Sequence, residues 1–433
     1  MTVIGTRGEK GRRAVKRPAI FNQADRDLAE LLFAGVANNT RAPAGGVCRP
    51  SYGRNETIAW KLVAEAASHR GLLARADKTG NLVVSIDASS FEHGQRATWI
   101  GSHLDSVPNG GNYDGLAGVV AAVLIVAKAK ERQIDLPLVG LGLRGEESAW
   151  FGTPYLGSKA LLGKLTERDL DRRRRHTEED DRDLTLRTCM EEIGGGPLRF
   201  LDGPIGSPSQ IREFWELHIE QGPLLVAREK PVGIVTGIRG HVRALNARVI
   251  GHAGHSGTTP HDLRNDAVMR FVEIMTKLEA RRSALAEFGD DLVFTCGIVG
   301  TDPKKHSITT IADEVIFALD IRSLSDHHAK QFLAYAEGCG VELGESIETP
   351  GAKIAPEIWQ RAARSCERLG VDHEIMPSGA GHDAAVFAHA GVPSGMIFVR
   401  NAHGSHNPAE AMSMDDFLLG CEVLWETIIE GPR

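Results

Sequence analysis

Residues 115–130 (GLAGVVAAVLIVAKAK) are apolar almost throughout, and they lie between two short strand-like runs, 97–101 (ATWIG) and 138–141 (LVGL). A helix that is apolar on every side must be covered on every side. A helix of that length between two strands is also what a parallel βαβ crossover requires. The pattern commits the first half of the chain to an α/β layer structure with a largely buried, mixed sheet. Helices are expected at 25–35, with Asp25 available as a cap, and at 57–70, ended by Gly71. Another strand-like run covers 82–86.

The texture changes after Gly222-Pro223. Residues 232–250 read as paired strands, 265–282 as a long helix, 293–299 and 314–322 as further strands, and 326–337 as a second helix. That order describes a smaller α+β, ferredoxin-like unit with helices on one face of its sheet. The α/β texture resumes near Trp359 and closes with a strand at 395–399. The expected organisation is a discontinuous larger domain over 21–223 and 341–433, with a smaller domain, 224–340, inserted into it. Residues 1–20 read as a flexible basic extension, where Arg7, Lys10, Arg12, Arg13, Lys16 and Arg17 face Glu9. In the block from Asp171 to Asp181, Arg172 to Arg175 meet Glu178, Glu179, Asp180 and Asp181, so the charges nearly cancel and a solvated surface is expected.

Composition narrows the function classes. With 433 residues, 42% of them apolar, and a net charge of −7, the chain can fill several cores and is not disordered. No window of about 18 uninterrupted apolar residues points to a membrane span. The mildly acidic balance gives no footprint for nucleic acid. The six cysteines are scattered without a C-x-x-C pair, which fits free thiols in a reducing compartment, and no apolar segment of secretory type follows the basic start. A cytoplasmic protein is expected.

The chemistry-bearing residues follow the strands. Residues 101–115 (GSHLDSVPNGGNYDG) bring His103 to a strand end, the place where open α/β sheets put their ligands. Asp105 is placed to accept the other imidazole N–H and so fix the tautomer that a metal-bound His needs. The Pro and Gly residues that follow turn the chain so that Asp114 returns to the same edge, where its two oxygens could serve two cations. The next strand ends in Glu146-Glu147, a pair suited to one acid binding metal and one moving protons, with the assignment open. His218 in FWELHIEQG and His406 in GSHNP complete a set of five N/O donors, the inventory of a two-metal site. Taken singly, a histidine after a strand is more often a surface or satisfied core group; the conjunction is what points to metal. Residues 140–145 match G-x-G-x-x-G literally, but Glu146 and Glu147 would repel a pyrophosphate. There is no H-E-x-x-H, no phosphate-binding lysine loop and no G-x-S-x-G elbow.

GSHLDSVPNGGNYDG, RGEESAWFG, ELHIEQGP, GHSGTTPHDLRNDA, DIR at 320–322, SGAGHDA and GSHNPAE occur in that order across residues 101–410. Together they resemble the co-catalytic zinc amidohydrolases that include allantoate amidohydrolase, N-carbamoyl-L-amino-acid hydrolase and bacterial-type β-ureidopropionase, within the broader aminoacylase and carboxypeptidase group. HIEQGP, with His where peptidase relatives carry Asp, points to the carbamoyl and ureido branch. The resemblance implies one divalent ion held by His103, Asp114 and His218 and a second by Asp114, Glu147 and His406. Zinc is the first choice, and manganese, cobalt or nickel also fit. It implies Glu146 as general base, with hydroxide formed between the metals, and Asp105 as the residue that orients His103. It further implies a homodimer through the smaller domain, which doubles as a lid, and His255 sent towards the active site. Arg322 would bind the carboxylate of a small-molecule substrate, its guanidinium fork matching that group. Gln221, Gly379 and Ala380 would line the pocket.

Three departures qualify the likeness. Thr309-Thr310-Ile311-Ala312 stands where many relatives carry an Asn-containing run, so Thr309 would replace an Asn contact to the carboxylate. Ser148-Ala149-Trp150 puts a bulky ring where relatives carry a cation. Ser256 stands where Ala is common. Two further readings compete: an aminoacylase or dipeptidase of the same group, and a binding protein that kept the fold and lost the chemistry. Retention of Glu146 and all five donors speaks against the latter.

Overall fold

The structure is a computed structural model that describes residues 19–87, 96–177, 180–194 and 207–431. Residues 1–18 of the expected basic extension, and Glu178 and Glu179 of the charged block, lie outside the described residues. In chain order the strands of the two larger sheets are β1 (Leu73–Ala76), β2 (Leu82–Ser85), β3 (Ala97–His103), β4 (Leu138–Leu143), β5 (Ile211–Ile219), β6 (Val232–Ile238), β7 (Gly240–Ile250), β8 (Val293–Gly300), β9 (Glu314–Ser323), β10 (Ser346–Thr349), β11 (Ala352–Lys353), β12 (His373–Ser378) and β13 (Ser394–Val399). The helices include α1 (Gln23–Asn39), α2 (Arg54–His69), α3 (Leu116–Glu131), α4 (Ala267–Glu287), α5 (Asp326–Gly338), α6 (Pro356–Leu369), α7 (Asp383–His389) and α8 (Met414–Glu430).

Nine strands form one mixed sheet in the order β1-β2-β4-β3-β5-β13-β6-β11, with β12 also paired to β6. At its centre β4, β3, β5 and β13 run parallel, each hydrogen-bonded to the next. β3 and β4 are buried along their whole length, as strands covered on both faces must be. On one face α3 lies against β3, β4 and β5 and is itself buried from Leu116 to Ala129. Gly118 makes that approach possible, because a Cβ there would strike the carbonyl oxygen of Leu217 on β5. On the other face the ring of Phe387 from α7 stacks on Phe214 of β5, with centroids 3.9 Å apart and planes 7° from parallel.

The capping residue of α1 differs from expectation. Asn22 is the cap, and Asp25 returns the bond to the Asn22 N–H, a reciprocal box that starts the helix two residues before Asp25. Asp25 also pairs with Lys128 of α3 at 2.8 Å, so its acid is held by tertiary contacts as well.

The second sheet is antiparallel, in the order β10-β7-β9-β8, with α4 and α5 packed on it around a separate apolar core. In chain order this is the ferredoxin-like βαββαβ arrangement. Residues 232–250 are not a hairpin: β6 joins the large sheet and β7 the small one, with Arg239 as the step between them. The return step lies between β10 and β11. The chain thus changes sheets after β6 and after β10, later than the expected boundaries at 224 and 340. A run of alternating apolar residues reports a strand without saying which sheet will pair with it. The two steps lie side by side: a Cβ on Gly240 would meet Gly351, and the Gly351 N–H donates to Asp326 at 2.9 Å.

A third apolar cluster, including Tyr52, Trp150, Phe151, Leu156 and Leu186, roots the 148–194 excursion. The charges there pair locally, Arg174 and Arg182 with Asp180, and Arg173 with Asp183. No helix among the described residues is long and apolar enough to cross a membrane, and no disulfide joins the six cysteines.

Gly118→Val should push α3 off β5 and cost about 1–3 kcal/mol of stability, read as a lower urea midpoint. Gly338→Ala, where a Cβ meets nothing within 4 Å, should leave the midpoint unchanged or raised.

Candidate metal centre

Because β3, β4, β5 and β13 are parallel neighbours, their C-terminal ends open on one edge of the sheet. His103 is the last residue of β3, Glu146 and Glu147 follow β4, His218 lies near the end of β5, and the chain beyond β13 carries His406. The loop from Leu104 returns Asp114 to the same place. His103 Nε2 lies 3.3 Å and His218 Nε2 3.2 Å from Asp114 Oδ1, while His406 Nε2 lies 3.5 Å from Asp114 Oδ2 and 3.4 Å from Glu147. The two triads His103–Asp114–His218 and Asp114–Glu147–His406 each bring their donor atoms within 4.8 Å of one another. All but His406 are buried.

The protonation pattern of the rings decides what this cluster suits. His103 Nδ1 faces Asp105, 3.2 Å from its carbonyl oxygen and 3.3 Å from its carboxylate. His218 Nδ1 faces the Ile219 carbonyl oxygen at 2.9 Å. Both Nδ1 atoms therefore act as donors, and with the rings neutral each turns its Nε2 lone pair inward, where that of His218 also accepts from the Gly115 N–H at 3.2 Å. Two lone pairs then converge on Asp114 Oδ1, a buried oxygen with no hydrogen-bond partner. Acceptors facing acceptors out of water need a proton or a metal cation among them, and the residues fit a metal pair with Asp114 shared. With no cation bound, burial opposes charge on His103, but Asp105 and Asp114 outweigh it and raise the imidazole well above its ordinary value.

Asp105 is the keystone of the wall. Its two oxygens accept from the backbone N–H groups of Glu146 and Glu147, both at 3.0 Å, and from Ser51 Oγ at 2.6 Å. One buried carboxylate thus orients His103 and pins the loop that carries both acids. Glu146 Oε2 sits 4.0 Å from His103 Nε2. Burial pushes the Glu146 carboxyl well above the usual range, with the charges of Glu147, Asp383 and Asp105 adding and His103 opposing. Gly115 follows Asp114 with φ of 69°, and a Cβ there would strike the His103 ring, so the Asp-Gly step is dictated by both backbone and space.

Gln221 belongs to the centre: its Nε2 donates to Asp114 Oδ2 at 2.8 Å. Arg322 on β9 is held by Asp320 at 2.8 Å and donates to the Gly379 carbonyl oxygen at 2.6 Å, so a small-sheet strand meets the 378–382 loop of the large domain. Ala380 is in that loop, its carbonyl and N–H both bonded to Ser378 Oγ. His255 and Thr309 are brought together elsewhere: Gly254–His255 pairs with Thr310–Ile311, and the Ser256 N–H donates to Thr309 O at 2.9 Å. Both are exposed, and none of their hydrogen bonds reaches a residue of the centre. Trp150 does not enter the cleft. Its ring is buried in the third cluster and its indole N–H donates to Ser106 O at 2.7 Å, steadying the loop after Asp105.

Several members were not singled out from sequence. Glu410 accepts from the N–H groups of Tyr113 and Asp114 at 2.6 and 3.2 Å, and from Ser405 Oγ at 2.8 Å. It ends the GSHNPAE motif, and a lone acid in a loop carries no other signal. The wholly buried Arg49 donates to Leu104 O at 2.7 Å and reaches Asn112 at 3.2 Å. Glu216 and Asp383 lie buried behind His218, accepting from Ser102 and Ser158. An acid inside a strand, such as Glu216, stands out only once the strand is known to be buried.

Residues 99–430 match the pattern of Peptidase family M20/M25/M40. The chain is 34% identical over 425 residues to an N-carbamoyl-L-amino acid amidohydrolase of Geobacillus stearothermophilus, covering 94% of this chain and 98% of that protein. It is 30% identical over 396 residues to the allantoate amidohydrolase of Escherichia coli, covering 88% and 92%. The crystal structure of a hydantoinase/carbamoylase family amidase from Burkholderia ambifaria superposes with a TM-score of 0.79 at 29% identity, covering 94% of this chain and 98% of that one.

Asp105→Asn puts an NH2 group against backbone N–H donors and should weaken metal binding about 10- to 100-fold. Competition with a chromophoric chelator measures it; affinity equal to wild type would show that Asp105 does not hold the ligands in place.

Proposed function

The chain belongs to Peptidase family M20/M25/M40, and on that premise we propose that it is a metal-dependent amidohydrolase that cleaves the carbamoyl or ureido C–N bond of a small carboxylate-bearing molecule, an N-carbamoyl-L-amino acid or an allantoate-like ureido acid. The observation that carries this reading is Asp114 shared between two donor triads, with Glu146 beside them as an acid outside both. The relatives named above act on such substrates by their names. Two divalent ions per subunit fit the donor set, zinc first, with manganese, cobalt or nickel also matched by imidazole and carboxylate.

Bound there, the ions would lower the proton affinity of a water and polarise the substrate carbonyl. Glu146 takes the proton of the attacking water on its carboxylate and later returns it to the leaving nitrogen. Asp105 keeps His103 in the ligating tautomer and holds the Glu146 backbone in place. Gln221 orients Asp114. Arg322 receives the substrate carboxylate, exchanging its bond to Gly379 for a bidentate one. The carbamate released from an N-carbamoyl amino acid then breaks down to carbon dioxide and ammonia.

His255 and Thr309 enter this scheme from a second subunit. Support comes from the small domain, where β8 is an edge strand with Ile298 71% and Val299 52% exposed. An apolar edge of that kind is a pairing surface. We assign the dimer to this face, and His255 of each subunit to the oxyanion in the other's cleft, with Thr309 beside the carboxylate. Six cysteines without a disulfide agree with a cytoplasmic protein.

Glu146→Gln should cut turnover at least about a thousandfold while metal content and melting temperature stay at wild-type values. Metal-loaded enzyme should release ammonia from allantoate or N-carbamoyl-L-amino acids; activity on N-acetyl amino acids or dipeptides alone would overturn the ureido reading. His255→Ala and Arg322→Ala proteins, each inactive, should regain part of the activity when mixed and allowed to exchange subunits. Confirmed exchange without recovery would place both side chains in one subunit's cleft.

A further inference from the structure

Tyr155 is a half-buried phenol in a strained position next to the paired acids. Its N–H donates to the Glu146 carbonyl oxygen at 2.9 Å, and the following Leu156 N–H to that of Gly145 at 2.8 Å, so the chain doubles back on the acid loop. Tyr155 takes a φ of 64°, the left-handed region, which a bulky residue seldom occupies and which the surrounding structure must enforce. The conformation carries the ring to the loop between β12 and α7, where a Cβ on Gly381 would collide with the Tyr155 hydroxyl. That hydroxyl makes no hydrogen bond to a described residue.

The loop supplies a scale along the cleft. At one end Gly379 O holds Arg322, assigned above to the substrate carboxylate. At the other, His382 packs edge-on against the ring of His218, with centroids 4.6 Å apart, at the metal end. Gly381 stands between them, so the phenol lies level with the atoms that separate carboxylate from carbamoyl carbon: the α-carbon and whatever it bears. Burial, with the charges of Glu146 and Asp383 added, pushes the phenol well above its ordinary value, so it stays an O–H donor at any working pH.

We propose that Tyr155 is a specificity-determining residue that donates a hydrogen bond to an acceptor on the substrate's α-substituent. The preferred substrates are then ureido acids whose α-carbon bears a carbonyl-containing polar group, an amide or a second ureido group, rather than an alkyl chain. A half-buried donor that bound substrate closes off from water discriminates between substituents, since an alkyl group there leaves it unpaired. The proposal rests on the ureido reading and on Arg322 as the carboxylate end.

The test compares kcat/KM for N-carbamoyl-L-asparagine and N-carbamoyl-L-leucine, close in size and shape, in wild type and in Tyr155→Phe, with allantoate as the ureido-bearing case. Wild type should favour asparagine over leucine by about tenfold or more. Tyr155→Phe should bring that ratio close to one and lower activity on allantoate, with metal content and melting temperature unchanged. A wild-type preference for leucine, or a ratio the substitution does not move, overturns the proposal and leaves the ureido reading standing. Turnover of none of the three substrates overturns both. Should the variant fail to fold, the wild-type ratio alone decides.

Discussion

The sharing of one buried carboxylate sets the terms for the rest of the molecule. Asp114 lies among His103, His218 and His406, with Glu147 opposite, in a place from which water is largely removed. Holding ionisable groups out of water costs several kcal/mol each unless they are paired. The sheet edge meets that requirement in layers. Asp105, Ser51, Glu410 and Ser405 satisfy the atoms that face away from the centre, and cations would satisfy those that face into it. The parallel strands, the buried α3 and the Gly118 contact are what make the geometry stiff enough for such an arrangement to persist.

Much of the site was legible because its residues sit where the backbone forces them. A strand end fixes His103 and His218, and Asp-Gly after a turn returns Asp114; motif order then supplied the remaining assignments. What escaped was the support. Glu410 and Arg49 act through backbone groups, and Asp383 through the Ser158 hydroxyl, all far away in sequence, and no spacing rule announces such partners. The fold was legible to the same depth. Long apolar segments such as α3 declared themselves, whereas the allegiance of β6 depends on pairing with β12 and β13, residues 373–378 and 394–399, which local alternation does not report. Trp150 teaches the complementary lesson: a residue conspicuous against its relatives turned inward and took up a bond to Ser106.

The smaller domain contributes from a distance. Its strand β9 brings Arg322 to Gly379 of the larger domain, while the turn bearing His255 and the run bearing Thr309 pair with each other and are exposed. The proposed second subunit would complete such a cleft, and the exposed apolar edge of β8 is the surface proposed for it.

The side-by-side passage at Gly240 and Gly351 has a bearing on ancestry. A module whose entrance and exit share one doorway can be exchanged, enlarged or lost without disturbing the register of the host sheet. Grafting at that doorway would retailor what surrounds the metals and leave the ligands in place, since they sit on strands and strand-end loops of the host sheet.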